Sequence, residues 1–295
     1  MAAAHYRSGF DIGALLALLL LATARAQAFS VQDDEQQTLE LAGPARRIVS
    51  LAPGATAMLF AVGAGDRVVG TSLYSDEPPA AKQIERIGDS QSFDLERVLA
   101  LRPDVVVVWS TGTSPAQIAR LQRAGLRLYH HRLSRLEQMP ASLRRLGALT
   151  GTDAQAQLAA AALAQRIADL RSRYAADQGK TVLIQVWDRP LYTVGRDEMV
   201  TDVIHACGYR NAYEDLTIAA PAITIESALA RDPDIILALT PDRKAAGSWL
   251  QQWSAFKTMK AQRTGRVIAW SDQRLTRFGP SVVDAAEDLC RELRK

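Results

Sequence analysis

One eleven-residue unit occurs twice in this chain, 130 residues apart, and it restricts the fold more than any other feature. Asp94-Leu95-Glu96-Arg97-Val98-Leu99-Ala100-Leu101-Arg102-Pro103-Asp104 lies over Thr224-Ile225-Glu226-Ser227-Ala228-Leu229-Ala230-Arg231-Asp232-Pro233-Asp234. Each copy reads as a capping residue, a short helix stopped at Pro-Asp, and an apolar run typical of a buried strand, Val105–Trp109 in the first and Ile235–Leu239 in the second. A unit that occurs only twice in 295 residues implies two pseudo-symmetric lobes rather than a solenoid.

The flanking sequence fits that division. Arg46 to Pro53 is a short β-type run that stops at a proline, and a helical stretch follows with Thr56 as candidate cap and Gly63 just past its end. Arg67-Val68-Val69-Gly70 reads as a second strand. Lys180 to Trp187, Ile235 to Leu239 and Val267 to Trp270 are the strands expected beyond Gly179, with a helix from Thr201 to Cys207. Strands alternating with helices imply parallel pairing. Between the two sets, Asp153 to about Asp177 is rich in Ala, Leu, Gln and Arg with no Pro or Gly, which predicts one unbroken helix about 37 Å long. The expected fold is therefore α/β: an N-terminal lobe over 29–151, a rigid linker helix over 152–178 and a C-terminal lobe over 179–295.

Residues 1–28 have the layout of a secretory signal peptide: Arg7, an apolar run from Ala14 to Ala22, and small residues at Ala24-Arg25-Ala26 or Ala26-Gln27-Ala28. The run of about ten residues is well short of the roughly 20 that span a bilayer, so the mature chain is expected to be soluble and exported. Export places Cys207 and Cys290, the only cysteines, in a compartment where disulfides persist, so they are expected to pair. Two buried thiols that never meet is the alternative. The 35 basic and 32 acidic residues form no long run of either sign, which gives no reason to expect a nucleic-acid partner.

Glu96 and Glu226 fall two residues after the candidate N-caps Asp94 and Thr224. A carboxylate in the first turn favours the helix by about 0.3–1 kcal/mol, which accounts for both. The same placement presents one carboxylate per lobe at one edge of the molecule, where basic residues of a two-fold partner could engage them.

Arg47-Ile48-Val49-Ser50-Leu51-Ala52-Pro53, Tyr74-Ser75-Asp76 with Pro78-Pro79-Ala80-Ala81, the Asp94-Leu95-Glu96-Arg97 segment with Arg102-Pro103-Asp104, and Gln185 to Leu191 resemble the periplasmic cobalamin-binding proteins of ABC importers. The likeness covers essentially the whole mature chain. It implies two lobes joined by a long rigid helix, a monomer that holds cobalamin in the cleft as transported cargo and not as a cofactor, and a glutamate on each lobe, Glu96 and Glu226, that meets arginines of the dimeric permease. It also implies a second-lobe disulfide, which Cys207 and Cys290 match. The framework is shared with receptors for haem and ferric siderophores, which stay open as alternatives.

A corrinoid is large and mostly flat, so its receptor needs broad apolar contact and a few polar partners. Tyr74 after the second strand, Trp109 at the end of Val105–Trp109, Trp187 and Tyr192 stand where parallel sheets expose ligand-binding loops. Asp272 with Arg277, or Arg274 in its place, matches a loop from which the family's acid and arginine reach ligand amides. The family's further tryptophans have no counterpart in Gly88–Phe93 or Ala219–Ala222, apart from Phe93. Catalysis is not expected, because no Gly-x-Ser-x-Gly, Walker or His-Glu-x-x-His pattern occurs. Free-ion capture is disfavoured as well. Neighbouring His130 and His131 on a strand point to opposite faces, and only His205 remains beyond the signal. In a haem receptor, Tyr74 would be the candidate axial ligand.

Overall fold

The apolar runs Val105–Trp109 and Ile235–Leu239 become inner strands of two separate parallel sheets. In the computed structural model, which describes residues 29–89, 91–176 and 178–295, the first lobe starts with an antiparallel hairpin, β1 (Phe29–Gln32) and β2 (Thr38–Leu41). It continues through β3 (Ile48–Ser50), α1 (Pro53–Ala61), β4 (Val68–Thr71), α2 (Leu95–Ala100), β5 (Val105–Trp109), α3 (Pro115–Arg123), β6 (Leu128–His131) and α4 (Met139–Thr150). The long helix α5 (Asp153–Tyr174) leads to β7 (Thr181–Gln185), the short hairpin β8 (Trp187–Asp188) and β9 (Leu191–Tyr192), α6 (Met199–Ala206) and β10 (Arg210–Asn211). The second lobe is completed by α7 (Ile225–Arg231), β11 (Ile235–Leu239), α8 (Arg243–Gln251), α9 (Lys260–Arg263), β12 (Val267–Trp270), α10 (Arg274–Arg277) and α11 (Val282–Leu293). The expected signal peptide, residues 1–28, lies outside the described residues.

Strand order is β4-β3-β5-β6 in the first sheet and β10-β7-β11-β12 in the second, all pairs parallel. The sheets therefore have the same topology, with β3 equivalent to β7 and β5 to β11. The repeated sequence unit explains the equivalence at the level of single bonds. Asp94 accepts from the Arg97 amide at 3.0 Å, and Thr224 from the Ser227 amide at 3.1 Å, so each short helix is capped by its own side chain. Both helices end beside a left-handed residue, Arg102 (φ 45°) and Asp232 (φ 42°). Asp104 then accepts the amides of Arg46 and Arg47 at 2.7 and 2.9 Å, ahead of β3, and Asp234 accepts the Thr181 amide at 2.9 Å at the start of β7. The same aspartate thus clips the first strand of each parallel sheet, β3 or β7, to the strand that follows the repeat.

The buried positions of α5 are Ala156, Ala160, Leu163, Ile167, Leu170 and Tyr174, an alternation of four- and three-residue steps that makes one apolar stripe. That stripe belongs to a continuous core reaching from Ile48, Val105 and Val107 of the first lobe to Val182, Ile184 and Val203 of the second. The linker is consequently part of the core, and swinging one lobe about it would shear packed side chains.

Two sequence expectations change. Thr56 lies within α1 instead of capping it: Pro53 occupies the first turn, and the buried Thr56 hydroxyl bonds Ser50 Oγ at 2.8 Å and Thr71 Oγ1 at 2.9 Å, tying β3 to β4. The long helix stops at Tyr174, short of Asp177, which is outside the described residues. Arg294 Nη2 donates to the Tyr174 carbonyl at 3.0 Å and its guanidinium sits 4.7 Å above the Tyr174 ring, so the last turn is closed by the C-terminal segment. Cys207, at the end of α6, and Cys290, in α11, form a disulfide buried in the second lobe.

Candidate functional site

Parallel strands deliver all their carboxyl ends to one edge of a sheet, and residues just past those ends are free of the hydrogen-bond ladder. Here the two edges meet. A cavity of about 360 Å³ is walled on the first-lobe side by Ala52-Pro53-Gly54 after β3, Tyr74 after β4, Trp109 at the end of β5, and His131 and Leu133 at the end of β6. The second lobe contributes Pro241 after β11 and Gln273, Thr276, Arg277 and Phe278 after β12. A smaller depression of about 180 Å³ continues from Pro241, Gln273 and Thr276 to Trp187, Trp270 and Asp272.

The lobes touch across this cleft. Trp109 meets Phe278 edge to face, with centroids 6.2 Å apart and planes at 71°. Arg277 Nη1 donates to Asp76 Oδ2 at 3.5 Å, and Ser281 Oγ donates to Glu77 Oε2. Gly54 is required by proximity, because a Cβ there would overlap the carbonyl oxygen of Arg277. Tyr74 (φ 66°) and Phe278 (φ 58°) are non-glycine residues in left-handed conformation, each at a cost on the order of 1–3 kcal/mol. Both stand on the cavity wall, so the strain coincides with the site.

Of the residues selected from sequence, the structure brings Tyr74, Trp109 and Arg277 together around the main cavity and sets Trp187 and Asp272 around its extension. Tyr74 is 64% exposed and Trp187 53%, high values for large aromatic side chains, and Trp187 rests edge-on against Trp249 at 6.1 Å. Tyr192 lines neither cavity; it is half-buried in β9, paired with Trp187 and bridged to Ala222. The choice between the two arginines is made by their acids. Arg274 is bound by Asp272 and by Asp288 at 3.1 Å, and its hydrogen bond to Asp272 holds that carboxyl below its usual range. Arg277 is the arginine on the cavity wall.

His131 and Phe278 were not selected from sequence, although Trp109 was, by a rule that applies equally to His131 at the end of the neighbouring strand. The environment of His131 depends on distant residues. Asp34, from the β1–β2 turn, has its side chain withdrawn from solvent and accepts from His131 Nδ1 at 2.7 Å, Ser142 Oγ at 2.8 Å, Arg145 Nε at 2.9 Å and Tyr129 OH at 3.1 Å. Burial alone would raise the Asp34 pKa, but the His131 bond and the other partners outweigh it and hold the carboxyl below its ordinary value. In the extension, the Trp270 indole N–H is buried without a partner among the described residues, an orphaned donor beside the depression.

Glu96 and Glu226 are both exposed in the first turns of α2 and α7. Glu226 has its pKa lowered by backbone hydrogen bonding at the helix start and by Thr224. The equivalence of the two helices puts these carboxylates in corresponding positions on the two lobes.

Residues 48–274 match the family model described as periplasmic binding protein. The chain is 32% identical over 251 residues to the vitamin B12-binding protein of Vibrio cholerae serotype O1, covering 85% of this chain and 90% of that protein. It superposes on the crystal structure of the periplasmic vitamin B12 binding protein of Vibrio cholerae with a TM-score of 0.77 and 31% identity, over 85% of this chain and 97% of that one. A periplasmic heme-binding protein from Roseiflexus sp. RS-1 in apo form matches with a TM-score of 0.71 and 27% identity, over 83% and 97% of the two chains.

Proposed function

The chain belongs to the periplasmic binding protein family, and on that premise we propose that it captures cobalamin between its lobes and delivers it to the permease of an ABC importer. The observation that carries this reading is the two-sided cleft, in which aromatic residues from the strand ends of both lobes face one another with a few polar groups between them. Tyr74, Trp109 and Phe278 supply apolar area for the corrin face. Arg277, Asp272 and the Trp270 N–H supply donors and acceptors for its amide arms, with Trp187 at the margin and Tyr192 behind it.

In this reading 29–151 and 179–295 act as two lobes on the 152–178 strut, residues 1–28 direct export to the periplasm and are removed, and the receptor is a monomer. Cobalamin is cargo; the protein has no catalytic role and no resident cofactor. Glu96 and Glu226 dock arginines of the two-fold permease, their helix-end role leaving the solvent side of each carboxylate free.

The cavity of about 360 Å³ is near the lower end of the roughly 300–1,000 Å³ occupied by drug-sized ligands, and a corrinoid with its nucleotide loop exceeds such a ligand. Accommodating it would therefore widen the cleft, across which the Arg277–Asp76 and Ser281–Glu77 contacts run. Both are partly exposed polar contacts of small individual strength, so the cleft widens at low cost while the core along α5 keeps the movement modest.

The test is calorimetric titration of the mature protein with cyanocobalamin, with hemin added in parallel and followed by absorption. Tight one-to-one cobalamin binding with no hemin shift is expected. A hemin shift with no cobalamin heat would keep the family and replace the ligand.

A further inference from the structure

The feature left unused by apolar contact and amide recognition is the second ring nitrogen of His131. This side chain is almost withdrawn from solvent, at 3% exposure, yet it lines the cleft cavity. Asp34 is an ionised acceptor held by Arg145, Ser142 and Tyr129, so the 2.7 Å contact is His131 Nδ1–H donating to the carboxylate. Nε2 is then the atom that His131 can offer to the cavity, and it has no hydrogen-bond partner among the described residues. A buried carboxylate that orients an imidazole through one nitrogen and leaves the other free is the arrangement that prepares histidine for a metal.

The surroundings limit which metal species could use it. Among the described residues no group of three or more His, Cys, Asp and Glu could hold an ion, so a bare cation would find too few donors. A metal at the centre of a planar macrocycle arrives with its equatorial positions filled and needs only an axial donor. We infer that His131 Nε2 is an axial ligand for the cobalt of a corrinoid with an open axial position. This inference rests on the corrinoid reading above and adds to it a covalent contact at the metal. The step is a ligand exchange: the Nε2 lone pair forms the cobalt–nitrogen bond as a bound water leaves, with no change in oxidation state.

The consequence is a difference between ligands. In cyanocobalamin both axial positions are taken, by cyanide and by the nucleotide base, so His131 makes no bond to its cobalt. In aquocobinamide, which lacks the base, water is displaced by Nε2. The experiment titrates wild type, His131→Gln and Tyr74→Phe with both corrinoids. Gln retains an N–H for Asp34 while removing the imidazole donor. Expected are a shift of the visible corrin bands with aquocobinamide in wild type and Tyr74→Phe, loss of that shift in His131→Gln, and a fall in cobinamide affinity in His131→Gln about tenfold larger than any change in its cyanocobalamin affinity, equivalent to about 1.4 kcal/mol.

A second measurement needs no variant. Electron paramagnetic resonance of cob(II)inamide on the wild-type protein should show triplet superhyperfine splitting from one axial nitrogen, collapsing to a doublet when the protein is labelled with nitrogen-15. Cobinamide binding with neither a nitrogen-dependent splitting nor a spectral difference between wild type and His131→Gln would overturn the ligation while leaving the corrinoid receptor intact. Loss of the shift in Tyr74→Phe alone would overturn it in favour of a phenolate. Absence of binding by either corrinoid would remove the functional reading itself, and the ligation with it.

Discussion

Replacing Cys207 and Cys290 together by Ala should destabilise the second lobe by an amount that can be worked from chain length. The disulfide closes a loop with a sequence separation of 83 residues. Loop-closure entropy for that length is about 15 cal/mol/K, or about 4.6 kcal/mol at 25 °C, lost from the denatured state when the bond forms. Near the melting point the unfolding entropy is about 2.1 cal/mol/K per residue. If the second lobe melts on its own, as a unit of about 115 residues, the midpoint falls by about 19 °C; if about 265 residues melt as one unit, it falls by about 8 °C. The shared core along α5 favours the smaller figure. Differential scanning calorimetry of wild type, variant and reduced wild type checks this, and the latter two should agree. Cyanocobalamin affinity should stay within about twofold, because the bond joins α6 to α11 and neither cysteine lines the cleft. A midpoint shift below about 3 °C would refute the argument that the bond acts through the unfolded chain.

Other perturbations address the cleft, the docking edge and two buried acids. Glu96→Ala with Glu226→Ala should abolish uptake in a reconstituted transporter while leaving ligand affinity unchanged; loss of ligand binding would mean that these residues do not face the permease. Gly54→Ala should wedge the lobes apart at Arg277 and Phe278, which small-angle scattering of the ligand-free protein would register as a larger radius of gyration. Glu198 lies ahead of α6 and has its pKa raised to about 7, chiefly by burial, against the attraction of Arg132 and with repulsion from Asp197. The folded state then retains a proton that the unfolded chain releases near its ordinary value. Stability should accordingly decline as pH rises from about 4.5 to 7, by on the order of 3 kcal/mol at most, and Glu198→Gln should flatten the profile of melting temperature against pH. Asp34 has the opposite sign: its depressed pKa gives stability that is present above the ordinary carboxylate value and lost as pH falls through the folded one. Asp34→Asn should cost about 3–5 kcal/mol in chemical denaturation at neutral pH, because it leaves the Arg145 charge without its partner.

Much of the architecture was legible because it is written in local patterns. The duplicated unit carries its own caps, breaker and following strand, so Asp94, Thr224 and the two Pro-Asp pairs state the two-lobe plan before any tertiary contact is known. The Ala-rich stretch after Asp153 is helical by propensity, and its apolar positions already form one stripe. Trp109 and Tyr74 could be selected because the ends of parallel strands are where ligands are met.

Other features required chain segments far apart in sequence to meet. The end of the long helix is set by Arg294 at its terminal carbonyl, 120 residues away. Arg277 rather than Arg274 is on the cavity wall because Asp288 in α11 helps Asp272 hold Arg274. His131 looked like an ordinary strand residue, and what prepares it is Asp34, 97 residues earlier, buried by a hairpin too short to stand out in sequence. Local propensity and periodicity are properties of neighbouring residues, so the sequence alone determined the elements and their duplication. The cleft exists only where two sheet edges are brought face to face, so the tertiary structure decided which side chains share it and which of their atoms remain free.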